Sequence, residues 1–179
     1  DGLEILPRKH LPYRDVVLEE FDIDVCLERK PKLVLIDELA HTNVPGSRHH
    51  KRWQDVLEIL NNGIDVWTTL NVQHVESRAE TIAGITGVRV FELVPDSVID
   101  RADEIVLIDL IPDEILLRLK EGKIYKSDKV DSATQNFFKV SNLTALREIS
   151  LRLMAERVDH ELKDLTAIQG ISNIRTHHR

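Results

Sequence analysis

The 179-residue sequence has a single cysteine, few aromatic residues and no long hydrophobic run. One cysteine, Cys26, excludes an internal disulfide framework and fits a reducing compartment such as the cytoplasm. A membrane-spanning helix needs about 20 consecutive apolar residues, and the N-terminal DGLEILPRKH has no signal-peptide hydrophobic region. We therefore expect no membrane contact by this segment itself.

Basic residues and glycines are also scarce. The 24 Lys and Arg against 31 Asp and Glu give a net charge of -7, and nucleic-acid binding requires a concentrated positive surface. A nucleic-acid partner is therefore not expected. The seven glycines nowhere form G-x-x-x-x-G-K-[ST], the phosphate-binding loop of P-loop proteins. The nearest candidate, Gly122-Lys123, is followed by Ile124 and has Leu117 at the first glycine position.

Apolar runs alternating with helical patterns predict an α/β fold. Residues 33–36, 64–69 and 105–108 are rich in β-branched and apolar side chains, which is typical of strands in a parallel sheet. Residues 52–62 have a helical apolar stripe, and residues 88–93 form a weaker, edge-strand pattern. The sequence therefore predicts a three-layer parallel sheet resembling a P-loop NTPase.

The helical pattern continues alone beyond residue 125, where Asn142 is a predicted cap and Leu143, Leu146 and Leu153 share a stripe. Three regions are predicted: an N-terminally incomplete α/β domain at 1–125, a helical extension at 126–163 and a linker at 164–179.

Asp37 and Glu38 follow the first apolar run, at the strand end where open α/β sheets bind ligands. In P-loop proteins this Walker B arrangement holds Mg²⁺, often through water, while a second carboxylate orients an attacking water. Asp37 is therefore the predicted magnesium-side acid and Glu38 the predicted catalytic acid. The alternative is that both merely mark the emergence of a buried strand into solvent.

Two polar segments are further candidates. The loop 41–52 is rich in histidine, arginine and lysine, so it can meet phosphates or a partner, but its histidine spacing does not match zinc. A solvated basic loop is the alternative. The segment 68–74 follows the second predicted strand, and its polar side chains can contact a phosphate or a water, or cap the next helix, for which Asn71 is suited.

Long, colinear motifs carry a family resemblance. LVLIDELAHTNVPGSRHHKRWQDV, GIDVWTTLNVQHVES, TGVRVFELVPDSVIDRADEIVLIDL, LKEGKIY and NLTALREISLRLMAERVD resemble, in order, the amino-terminal domain of the Kdp potassium-sensor histidine kinases. In that family a G-x-x-x-x-G-K-T loop lies upstream of the segment corresponding to DGLEILP. The resemblance therefore implies a fragment that lacks the Walker A loop.

The resemblance also implies site residues and cofactors. The family's Walker B acids fall on Asp37 and Glu38, with Asp37 bound to Mg²⁺ through water in the intact domain only. ATP and Mg²⁺ are the implied cofactors there, and none is expected to bind this fragment tightly. The family's neighbouring motifs fall on His41, Thr42, Asn43, Arg48, His49, Arg52, Thr69, Asn71, Gln73 and His74.

For function, the resemblance implies a cytoplasmic regulatory input domain of a membrane-bound, two-component sensor. Nucleotide binding would control the kinase and phosphatase output for a potassium-uptake system. The implied partners are the parent's other domains, including a universal-stress-like domain after the linker, a second copy of the receptor, and a response regulator reached through the kinase core. The fragment alone is expected to be inactive.

Two alternatives come from other functional classes. The chain can be an ATPase or phosphotransferase domain that uses Asp37 and Glu38 with Mg²⁺. It can also be a pure protein-interaction domain that uses its acidic surface and the helices after Asp128.

Overall fold

The computed structural model describes residues 2–123 and 137–169. The chain divides into two compact units: Asp1–Glu80 with Arg89–Arg101 (unit 1), and Thr81–Val88 with Ala102–Arg179 (unit 2). The predicted boundary at 125–126 and the end of the predicted linker lie outside the described residues. They stay predictions.

Unit 1 begins with an antiparallel hairpin of β1 (Lys9–Tyr13) and β2 (Val16–Glu20), in which Lys9 lies opposite Glu20. Helix α1 (Ile23–Arg29) follows, and the Asp22 side chain caps it by accepting the N–H groups of its first turn. The sequence patterns did not predict the hairpin. Its two five-residue strands are separated by only two residues, and that spacing is the local signal that could have predicted it.

Strands β3 (Leu33–Ile36) and β4 (Asp65–Thr68) form a parallel pair in which Ile36 lies opposite Thr68. Both were predicted. Strand β3 is buried on one face only, because Val34 is in the core while Leu35 is 53% exposed. The strand thus alternates as expected for a sheet covered on one side.

Helix α2 (Arg52–Asn61) connects these strands. It begins where the Lys51 N–H donates to the Gln54 side chain at 3.0 Å, and it ends before Gly63, whose φ of 75° suits glycine. Its buried face packs on the covered side of the sheet. The core contains Ile23, Cys26, Val34, Ile36, Leu39, Ala40, Val56, Ile59, Ile64 and Val94.

The chain after β4 forms a short 3₁₀ turn (Val72–His74), helix α3 (Glu76–Thr86) and helix α4 (Asp96–Ile99). An isolated parallel bridge joins Val75 to Val94. The predicted edge strand at 88–93 is wrong, since these residues form no strand.

Unit 2 contains helix α5 (Pro112–Lys120) and the long helix α6 (Val140–Gln169). Leu119 and Leu143 are among its buried side chains. Residues 105–108 form no strand, and Ile108 is 75% exposed. The segment is instead tied to α6 by a bidentate ion pair, in which Arg147 donates to both Asp109 oxygens at 2.6 Å.

The predicted three-layer parallel sheet is therefore not confirmed. The described residues contain a mixed α/β arrangement with two sheets of two strands each. An apolar run shows that a segment is suited to burial, but it does not specify a hydrogen-bonding neighbour far away in the chain. Within 2–123 and 137–169, none of the helices combines the length and hydrophobicity needed to cross a bilayer.

Candidate functional site

The strand ends of the parallel pair bring the predicted Walker B acids together with a threonine. Asp37 and Glu38 follow β3, and Thr69 follows β4; the parallel register places all three at one end of the sheet. All three are exposed. The acids therefore face solvent at the carboxyl edge of the sheet, as the sequence predicted.

Hydrogen bonds orient Asp37. The Thr69 hydroxyl donates to Asp37 Oδ1, and the Glu38 N–H lies 3.0 Å from the same oxygen. The Glu38 N–H also lies 3.1 Å from Thr69 Oγ1, and the Leu39 N–H donates to the Thr69 carbonyl at 2.9 Å. One Asp37 oxygen is thus fixed by the protein, and the carboxylate has a defined direction.

Glu38 has a strained backbone. Its φ of 55° lies in the left-handed region, which costs a residue with a side chain roughly 1–2 kcal/mol. Such a conformation persists only where the surroundings determine it, and it is concentrated at functional sites. Among the described residues, no hydrogen bond or ion pair engages the Glu38 carboxylate. The strain therefore presents an unpaired acid to solvent beside an oriented one.

Arg52, at the start of α2, contacts the same turn. Its Nη1 donates to the Asp37 carbonyl at 2.9 Å, and its Nη2 donates to Glu20 Oε1 at 2.7 Å. The Arg52 side chain is only 13% exposed. It is therefore committed to contacts within the protein.

Glu20, which the sequence patterns did not single out, is buried at the end of β2 with 2% of its side chain exposed. Burial raises its pKa, but the hydrogen bonds to its carboxylate outweigh burial and lower the pKa below its ordinary value. The donors are the backbone N–H groups of Phe21 and Val44, His41 and Arg52. Glu20 is thus a charged anchor beneath the candidate site.

The predicted basic loop is a closed hairpin. Thr42 and Lys51 form an antiparallel bridge, and the Asn43 N–H donates to the His50 carbonyl at 3.0 Å. The Lys51 ammonium donates to the Thr42 hydroxyl at 2.6 Å, and the Thr42 N–H donates to Glu92 Oε1 at 2.7 Å. The loop is therefore held by polar contacts within it and by one contact with Glu92.

Acidic side chains engage two further loop candidates. Arg48 pairs with Asp24 at 2.7 Å and also with Glu58, while His49 Nε2 lies 2.6 Å from the second Glu58 oxygen. Exposed ion pairs of this kind contribute little stability, because solvent screens them. They nevertheless direct both side chains towards the protein's own carboxylates.

A family comparison connects this geometry with known proteins. The family model described as KdpD, the osmosensitive K⁺ channel histidine kinase sensor domain, matches residues 1–158. The chain belongs to this KdpD sensor-domain family. The resemblance carried by the sequence motifs is thereby confirmed.

Curated relatives agree with the family model. The chain is 52% identical over 163 residues to the sensor protein KdpD of Escherichia coli (strain K12), covering 91% of this chain and 18% of that protein. It is 52% identical over 162 residues to the sensor protein KdpD of Clostridium acetobutylicum, covering 90% and 18% respectively. The putative sensor protein KdpD of Synechocystis is 49% identical over 158 residues, covering 88% and 43%. The chain thus spans less than half the length of each.

Three further KdpD-matched candidates, Asn71, Gln73 and His74, lie after β4. His74 Nδ1 lies 2.7 Å from the Glu92 carbonyl oxygen, so its ring is used within unit 1. Asn71 precedes the 3₁₀ turn, but its side chain makes no capping hydrogen bond, and Gln73 lies within the turn. The structure therefore groups Asp37, Glu38, Thr69 and Arg52, and it gives the other loop candidates partners within unit 1.

Asn43, another KdpD-matched candidate, is buried with Asp55. Asn43 Nδ2 donates to Asp55 Oδ2 at 2.6 Å and to the His49 carbonyl at 3.1 Å. Burial raises the pKa of Asp55, and the Asn43 hydrogen bond and the charges of His49 and Arg52 offset that rise only in part. Asp55 is therefore an acid whose charged form is disfavoured by folding.

This pKa shift predicts a pH-dependent stability difference for Asp55→Asn. Because folding raises the pKa of Asp55, the wild type loses stability as pH rises through that folded pKa. The variant has no such group, so it should unfold at a higher urea concentration than the wild type at pH 7. Below the ordinary aspartate pKa of about 3.9 the difference should vanish. Urea titrations at several pH values measure it, and a wild type that is more stable at pH 7 would contradict the assignment.

Proposed function

We propose that the chain is a nucleotide-responsive input domain of a potassium-sensing histidine kinase. Membership of the KdpD sensor-domain family supports the sensory role. The observation that supports a nucleotide is the strand-end group of Asp37, Glu38 and Thr69, since open α/β sheets bind ligands at this edge. The domain lies on the cytoplasmic side of a membrane-bound parent.

The residues fit a magnesium-bound triphosphate. Mg²⁺ is held by one or two carboxylates together with substrate phosphates and water, not by a cage of protein ligands. Within the described residues, no group of three or more His, Cys, Asp or Glu side chains is placed so that it could hold a metal ion. Bound Mg²⁺ would neutralise phosphate charge. Asp37 would hold it through a water, and Glu38 would orient or polarise an attacking water.

Nucleotide binding controls the parent kinase only if two conformations of the domain differ in their affinity for it. The strained turn at Glu38 is suited to such a difference, because a ligand that contacts the acids favours one backbone arrangement. In this proposal the domain biases a homodimeric receptor between kinase and phosphatase activity towards its response regulator, according to potassium supply.

The 179 residues alone should bind ATP weakly. They contain no G-x-x-x-x-G-K-[ST] loop, and such a loop supplies the backbone N–H groups that cradle the phosphates. We expect a dissociation constant in the millimolar range or weaker, which corresponds to about 4 kcal/mol of binding energy at most. Isothermal titration measures this value. Micromolar binding would show that the loop is dispensable.

The proposal itself is tested in a longer sensor that carries this chain together with a phosphate loop. Magnesium-dependent ATP binding should appear there, and ATP should change the ratio of kinase to phosphatase activity. An output that ATP leaves unchanged would refute the regulatory role.

A second function is favoured by the unpaired Glu38 carboxylate. A free acid beside an oriented one is the arrangement that polarises an attacking hydroxyl or water in phosphoryl transfer. The domain would then be an ATPase or phosphotransferase in addition to a sensor. Its turnover is the distinguishing measurement.

A further inference from the structure

The Glu20 carboxylate has no capacity left for a ligand. Its Oε1 accepts from the Phe21 N–H at 2.9 Å and from Arg52 at 2.7 Å. Its Oε2 accepts from the Val44 N–H at 3.1 Å and contacts His41 Nε2 at 2.8 Å. A buried carboxylate whose two oxygens each have two partners is unsuited to binding metal or accepting a proton. Its contribution is to hold the groups that donate to it.

Arg52 is the donor that connects Glu20 with the candidate site. A guanidinium is planar, and its N–H donors have a fixed relative direction. Because Nη2 is anchored on Glu20, Nη1 is directed at the Asp37 carbonyl, 2.9 Å away. Without Glu20, the flexible Arg52 side chain would no longer be held against the Asp37 carbonyl.

The Asp37 carbonyl in turn determines where the Glu38 N–H lies. A peptide unit is planar and trans, so fixing its oxygen fixes the opposite direction of its N–H. That N–H contacts Asp37 Oδ1 at 3.0 Å and Thr69 Oγ1 at 3.1 Å. The carbonyl that Arg52 contacts and the N–H that orients the Asp37 carboxylate therefore belong to the same planar peptide unit.

We propose that Glu20 is a positioning residue that acts through Arg52 to orient the peptide between Asp37 and Glu38, and with it both acids of the site. This inference rests on the proposed function, because orienting the two acids matters for function if they bind a magnesium-bound phosphate. The partners of the Glu20 carboxylate among the described residues are all protein groups, so Glu20 acts through them.

The first test uses Glu20→Gln in the present chain. Glutamine has the same shape, but its NH₂ group replaces one of the two carboxylate oxygens and must then face hydrogen-bond donors. The interaction with Arg52 should therefore weaken. The backbone amide resonances of Glu38 and Leu39 should shift. Arg52→Lys should shift the same resonances, because a compact ammonium cannot span Glu20 and the Asp37 carbonyl as a fork does. The matched control is Glu19→Gln, which removes a neighbouring exposed acid that pairs, in the part of the chain the structure describes, with Arg8 at 3.0 Å.

The second readout is Mn²⁺ alone, added at low concentration to measure paramagnetic broadening of these amides. Supporting contacts around a metal ligand typically change affinity by about 10–100-fold, so we expect Glu20→Gln to weaken Mn²⁺ binding about tenfold. The double variant with Arg52→Lys should be no weaker than the poorer single variant, because both changes break one connection. A merely structural glutamate would lower stability without changing the affinity of the folded protein.

The two readouts separate the possible failures. If Glu20→Gln leaves the Glu38 and Leu39 resonances where they are in the wild type, the positioning role is refuted whatever Mn²⁺ does. If those resonances shift and the wild type shows no Mn²⁺ broadening at the acids, either in this chain or in a longer sensor with a phosphate loop and ATP, positioning is supported and the proposed magnesium site fails. If the amide resonances and the Mn²⁺ affinity both change in Glu20→Gln and neither changes in Glu19→Gln, the positioning role and the magnesium site are both supported.

Discussion

Replacing Asp37 by asparagine in a longer sensor with a phosphate loop should weaken magnesium-dependent ATP binding by about 10–100-fold. Thr69 and the Glu38 N–H hold one oxygen of this carboxylate, so its charge has a fixed direction that an amide cannot reproduce. Glu38→Gln should leave that affinity nearly unchanged, because the Glu38 carboxylate is not what orients the metal-side acid.

The same pair of variants separates regulation from catalysis. If the wild type hydrolyses ATP, Glu38→Gln should lower turnover by about 10²–10⁴-fold, the typical contribution of a general base. Asp65→Asn is the matched control, since Asp65 is an exposed acid at the opposite end of β4. If Asp37→Asn and Asp65→Asn lose the same amount of ATP affinity, the overall charge of the domain is responsible. If the wild type shows no ATP turnover, regulation is the function that remains.

A pair of isoleucines tests the fold that supports the site. Ile59 in α2 is fully buried, whereas Ile108 in unit 2 is 75% exposed. Ile59→Ala should lower the free energy of unfolding by about 3 kcal/mol, because it removes buried methyl groups and leaves a cavity. Ile108→Ala should cost less than about 0.5 kcal/mol, as an exposed substitution does.

Urea unfolding followed by circular dichroism measures both changes. The two variants make the same chemical change, so the difference between them reports burial alone. If Ile108→Ala costs as much as Ile59→Ala, residues 105–108 are packed in a sheet, as the apolar run predicted, and the two-stranded arrangement is wrong.

Sequence periodicity predicted the elements whose signals are local. Strand β3, helix α2 and strand β4 all lie where the apolar patterns place them. The strand-end position of Asp37 and Glu38 followed from the same reasoning, because a strand that ends in acids delivers them to the sheet edge. The contact of Thr69 with Asp37 required in addition that β3 and β4 be parallel neighbours, which their repeated strand and helix pattern indicated.

Sequence periodicity could not predict which residues contact the polar loop. Thr42 meets Glu92, which is 50 positions away in sequence, and Arg52 meets Glu20 across 32 positions. No periodicity connects residues at such separations. The family motif could therefore identify the loop as important without showing that several of its side chains contact the protein's own acids.

By itself, the sequence determined the local α/β elements, the pair of acids after β3 and membership of the KdpD sensor-domain family. These follow from side-chain periodicity, strand-end composition and long colinear motifs. Only the tertiary structure decided that 105–108 forms no strand, that Glu38 has a left-handed backbone, and that a buried Glu20 holds Arg52 against the acidic turn. Each depends on hydrogen-bond partners distant in the chain, and folding selects those partners by packing and charge satisfaction together.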